Sequence, residues 1–304
     1  MNLFARKVNN YSLYASHAWY VPGVKGMFGL LGWFLLGNLL TGVVQAIFSA
    51  FVPQDVVQQY GMLVLYPLSF VPAMIYAGQQ SQRNSLFETG YKLSSNHFGP
   101  FKAWQIVLIT VALSFATMVS ADLPNYWNYK LTTLTPGMQS FYDMITELLQ
   151  QMTGGPLWSS FLLVAIFAPI FEEWLCRGMV LRGLLTRLKP GWAIVVSALF
   201  FALIHMNPWQ ALNAFLIGVV MGYVYYKTGN LWLTMLMHFV NNGTSVILSQ
   251  IPSLQEAEFL IDMMPRTTYM IVYVLGVVVL AVCLMAFHKI PLLQKRGNID
   301  MVEL

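Results

Sequence analysis

The chain has 304 residues, 57% of them hydrophobic and 9% charged, with a net charge of +4 and a mean hydropathy of +0.61. A water-soluble domain carries roughly 25% charged residues, so an ordinary soluble enzyme or binding module is excluded and a polytopic membrane protein is expected. The sequence has no charge block, low-complexity segment or internal repeat, so nucleic-acid binding and repeat architectures are not expected either.

The first 25 residues hold Arg6, Lys7 and Lys25 without a continuous apolar run. No cleavable signal peptide is therefore expected, and the first hydrophobic span serves as the insertion signal. Given about 20 apolar residues per helical crossing, eight segments qualify: 27–52, 60–77, 103–121, 157–180, 191–205, 209–226, 230–248 and 269–287. The expected fold is an all-α bundle of about eight transmembrane helices. It forms one membrane-embedded domain over 1–304, with residues 1–26 as a cytoplasmic N-terminal segment. With that topology, 14 of the 16 lysines and arginines fall on one side and only Lys130 and Arg266 on the other. The positive-inside rule then puts both termini in the cytoplasm.

Residues 122–155 form the longest loop on the other side. Phe141, Met144, Ile145, Leu148, Leu149 and Met152 recur there at helical spacing opposite Asp143 and Glu147, which predicts an amphipathic helix docked on the bundle. Cys176 and Cys283 both lie within spans, in a spacing that matches no metal site or disulfide framework.

Glu172 and Glu173 lie inside the fourth apolar segment. A charge at that depth costs on the order of 2.5 to 3.5 kcal/mol even on a lenient scale, which marks the position as functional. The other ten acidic residues lie outside the apolar runs, and only His205 and His238 of the five histidines fall well inside them. In EEWLCR, Glu173 and Arg177 are four apart and share a helix face, while Glu172 points about 100° away and is left free. Pro169 removes a backbone donor and should free the carbonyl of Ala165, kinking the helix just before the glutamates. FFALIH sets Phe201 one turn before His205, and HFVNN sets Asn242 one turn after His238. In an antiparallel hairpin turning near Lys189, Glu172 and His205 come level. Gly218 and Gly222 form a GxxxG pair suited to close helix packing.

The ordered set EExxxR, FxxxH and HxxxN, over about residues 156–250, resembles the CPBP family of intramembrane proteases. That family includes CAAX prenyl endopeptidases and bacterial abortive-infection and bacteriocin-processing proteins. The resemblance implies an intramembrane endopeptidase in which Glu172, assisted by His205, activates water while His238 and Asn242 stabilise the oxyanion. Glu173, Arg177 and Phe201 are supporting residues. It also implies a protein or peptide substrate, prenylated or membrane-embedded, in a bacterial cytoplasmic membrane. Glu172, His205 and His238 match the ligand set of a catalytic zinc site, although no HExxH motif is present; no other cofactor is expected. The alternative is a non-catalytic binding or bacteriocin-immunity protein that uses the same polar pocket.

Overall fold

The computed structural model describes residues 22–53, 56–80, 98–153, 156–185, 187–251, 257 and 259–292. Most of the expected N-terminal segment and the side chains of Leu148, Leu149 and Met152 lie outside the described residues. Among the described residues the secondary structure is helical apart from turns and links. In a bilayer this arises from the need to satisfy every backbone donor and acceptor within the segment.

The helices in chain order are α1 (Val24–Phe48), α2 (Met62–Gln80, preceded by a π-helical turn over Val57–Gly61) and α3 (Ala103–Thr132). Then come α4 (Pro136–Thr153), α5 (Leu157–Leu185), α6 (Pro190–Ile204), α7 (Pro208–Thr228) and α8 (Leu231–Leu248). A single turn, α9 (Leu260–Met263), precedes α10 (Arg266–His288). Each of the eight apolar segments is helical over most of its length, the first stopping at Phe48, short of residue 52. Five helices (α1, α2, α3, α5 and α10) are long and apolar enough to cross a membrane, and α6 is a shorter apolar helix. The chain is thus an all-helical protein with several candidate membrane spans. The largest outward shifts are at the ends of the third and fourth helices. The third helix continues beyond residue 121 to Thr132, through Asp122, Asn125 and Asn128, because polar residues end an apolar run without ending a helix. The fourth continues beyond residue 180 to Leu185.

Local sequence explains the tight links. Pro190 opens α6 and Pro208 opens α7, where a missing N–H costs nothing. Between them stand only His205, Met206 and Asn207. Met206 takes a positive φ of 49°, and the Asn207 side chain caps α7 by accepting from the N–H groups of Trp209 and Gln210. Gly229, left-handed at φ 64°, ends α7, and Asn230 caps α8.

Small residues bring the helices together. A Cβ on Gly218 would meet Ala198 at 3.2 Å, and one on Gly222 would meet Ile194 at 3.1 Å, so α7 lies directly against α6. Gly243 of α8 faces Phe161 and Ala165 of α5, and α1 packs on α2 through Phe34 against Phe70. The core between these helices includes Leu30, Ala73, Ile106, Leu175, Met179 and Met221. Phe28, Leu39, Leu108, Leu203 and Val274 point outward, as lipid-facing residues do. The amphipathic helix α4 is present and packs on the bundle through Phe141 and Tyr142, whose rings lie 5.5 and 5.0 Å from Trp209 of α7. Met144, expected on its buried face, is 54% exposed.

Candidate functional site

The middle of α5 is built irregularly. Leu162–Phe167 and Trp174–Leu181 are π-helical, and the α-helical stretch Ala168–Glu173 between them carries both glutamates. π-helical turns inside α-helices occur frequently at functional sites. Here the first one changes which carbonyl Pro169 orphans. Ala168 N–H bonds to Leu163 O, five residues back. In that register the partner of Val164 O is residue 169, which as proline has no N–H. The unserved carbonyl is therefore that of Val164, where simple α-helical geometry points to Ala165. Asn242 Nδ2 fills the gap, donating to Val164 O at 2.8 Å. Asn242 Oδ1 accepts from Asn241 at 2.9 Å.

Glu173 and Arg177 are both fully buried. Arg177 Nη1 donates to Glu173 Oε1 at 2.5 Å and Nη2 to Gly218 O at 3.1 Å, which the close approach of α7 allows. The guanidinium also lies over the Phe201 ring, 4.4 Å from its centroid. Phe201 in turn meets His205 and His238 edge-on, at centroid distances of 4.8 and 5.5 Å. One aromatic side chain thus stands between the Arg177 guanidinium and the two imidazoles.

Each imidazole is held through Nδ1. That of His205 lies 2.8 Å from Phe201 O, and that of His238 lies 3.2 Å from Glu173 Oε1. Both oxygens only accept, so Nδ1 carries the proton and Nε2 of the neutral ring presents a lone pair. Both Nε2 atoms lie 3.9 Å from Glu172 Oε2, a buried oxygen with no hydrogen-bond partner among the described residues. The other oxygen, Oε1, accepts from the Tyr66 hydroxyl at 2.5 Å. A gap of 3.9 Å is too long for a direct hydrogen bond, and a bridging water fits it.

These groups line one hollow of about 440 Å³. Glu172, Phe201, His205, His238 and Asn242 all reach it, whereas Glu173 and Arg177 stand behind it. The motifs did not reveal Tyr66, Gln210, Asn213 or Asn241, which also line it. Gln210 and Asn213 sit in the first two turns of α7, where polar side chains are ordinary, and Asn241 stands inside α8 beside the motif's Asn242. Tyr66 is a lone hydroxyl in an apolar run next to Pro67, far from any motif.

For zinc, Glu172, His205 and His238 offer suitable donor chemistry, with both Nε2 atoms 3.9 Å from Glu172 Oε2. Among the described residues, no three His, Cys, Asp or Glu side chains come close enough together to hold a metal ion.

A helical membrane protein with a carboxylate and two oriented imidazoles around a buried hollow is what the fold and site define. Residues 154–244, under a third of the chain, match the model of the family described as Type II CAAX prenyl endopeptidase Rce1-like. The matched segment runs over α5 to α8 and contains all seven residues singled out by the motifs. It agrees with the CPBP resemblance and indicates a protease at the general level. No curated protein and no solved structure matches the chain.

Proposed function

We propose that the protein is an intramembrane endopeptidase whose nucleophile is a water activated by Glu172. The observation that carries this reading is the convergence of Glu172 Oε2, unpartnered, with the Nε2 atoms of His205 and His238 at 3.9 Å each. Water in that space gives a proton to Glu172 Oε2 while its oxygen bonds to the scissile carbonyl carbon, and His205 Nε2 holds the water by accepting its second hydrogen. His238 donates from Nε2 only as the imidazolium, whose second N–H then points at the Glu173 carboxylate. In that form it stabilises the oxyanion. On collapse the C–N bond breaks, and the proton held by Glu172 passes to the departing amine. Asn242 has a second N–H, beside the one committed to Val164, with which to assist His238.

General-base action contributes about 10² to 10⁴ in rate. Glu172→Gln and His205→Ala, purified as folded protein, are expected to lose peptide cleavage by at least about 10²; full activity in either removes the assignment. Survival of a protective phenotype in Glu172→Gln would favour the non-catalytic binding reading. The scheme needs no metal ion, so cleavage that depends on Glu172 is expected to persist after chelation. Loss that zinc restores, with zinc found by elemental analysis, would move the chemistry to a metal-bound water.

A further inference from the structure

The hollow opens at one end of the bundle. It is lined by the start of α2 at Met62, the starts of α5 and α7, and the ends of α6 and α8. At the opposite end Arg187 bonds to Pro22, and Lys227 Nζ donates to His288 O at 3.0 Å, which gathers the basic loops there. Among the described residues, Asp122 of α3, Asp143 and Glu147 of α4 and Asp262 of α9 stand on the hollow's side, against Lys130 and Arg266.

A second cavity of about 420 Å³ continues from the hollow, sharing Gln210, Asn213 and Asn241 with it. Asp122, Asn125, Tyr129, Tyr142 and Trp209 complete its wall beneath α4. Trp209 is 8% exposed, and its buried Nε1 has no hydrogen-bond partner among the described residues; the same holds for Asn125 Oδ1. A buried unpaired donor and a buried unpaired acceptor lining one cavity are costly, and a peptide segment carries both a carbonyl and an N–H to offer them. Tyr142 and Trp209 add aromatic rings to the wall, while the Tyr129 ring already has the chain's own Lys130 Nζ 5.5 Å from its centroid.

We propose that this vestibule is a substrate subsite for a cationic peptide segment arriving from the side of the membrane away from the basic loops, which the positive-inside rule makes extracytoplasmic. The inference rests on the endopeptidase reading for the step after binding: basic side chains lie in the acidic vestibule and the scissile bond lies at Glu172.

Binding is tested separately from turnover. The full chain carrying Glu172→Gln, in zwitterionic nanodiscs, is titrated with fluorescent peptides of equal length that carry Lys, Gln or Glu at the same positions. The Lys peptide is expected to bind at least about tenfold more tightly than the Gln peptide at low salt, with the advantage shrinking as salt rises. Removing two exposed charges (Asp143→Asn with Asp262→Asn) should reduce the preference several-fold, and Trp209→Phe should weaken Lys and Gln peptides alike. Equal binding whatever the charge, a preference indifferent to the acid-to-amide changes, or no binding at all overturns the subsite. With Glu172 intact, binding of the Lys peptide without cleavage sinks the endopeptidase reading and leaves the subsite standing. Cleavage indifferent to peptide charge does the reverse.

Discussion

Glu172 is held differently at its two oxygens. Oε1 is committed to Tyr66 and Oε2 faces the imidazoles, so the hydroxyl of α2 decides which lone pairs remain for a water. A hydrogen bond to a charged group contributes about 1.5 to 3 kcal/mol. If that energy orients the carboxylate, Tyr66→Phe should lower kcat by roughly ten- to a hundredfold with little change in KM, alongside a lower thermal midpoint from the lost bond. A rise in KM at constant kcat would instead make Tyr66 a substrate-binding group. Behind the hollow the balance differs. Arg177 and Glu173 are fully buried and touch Phe201 and His238 without lining the hollow.

Within α5, two deviations from α-helical geometry and one proline produce a carbonyl that only another helix can satisfy. Asn242 supplies that bond from α8, so it ties the helix of the glutamates to the helix of His238. Removing the carboxamide leaves Val164 O unpaired at a cost of about 1 to 3 kcal/mol, and Asn242→Leu should lower the thermal midpoint accordingly. In a Pro169→Ala background residue 169 regains an N–H, and the same substitution should cost clearly less. Equal losses in both backgrounds would show that the two positions are uncoupled. The short α6 to α7 link works similarly: proline at the start of each helix and the Asn207 cap allow the chain to reverse in three residues, which leaves His205 at the rim of the hollow.

Across the whole molecule, charge and cavity are arranged along one axis: basic loops at one end, the hollow and acidic segments at the other. This polarity is directly measurable. Gly137 and Gly191 stand at opposite ends with open space beside them, and the native cysteines are buried, which keeps the background low. An impermeant maleimide applied to intact cells should label Gly137→Cys and spare Gly191→Cys, which should react only after permeabilisation. The opposite pattern would invert the orientation and bring the hollow to the cytoplasm.

Much of this was legible without coordinates, for identifiable reasons. Charged residues are so costly in lipid that Glu172 and Glu173 announce themselves, and helical spacing alone pairs Glu173 with Arg177, Phe201 with His205 and His238 with Asn242. Helix ends were less legible: an apolar run stops at residue 121 whereas the helix continues to Thr132. Contacts between distant helices were not legible at all. Tyr66 and Glu172 are 106 residues apart, and no periodicity encodes their meeting. The sequence by itself determined that this is a helical membrane protein with an acid and two imidazoles in its apolar interior, because local composition and the cost of burying charge suffice for that. Only the tertiary structure decided which carbonyl Pro169 strands, which oxygen of Glu172 stays open and where the hollow leads, because each depends on side chains brought together from separate helices.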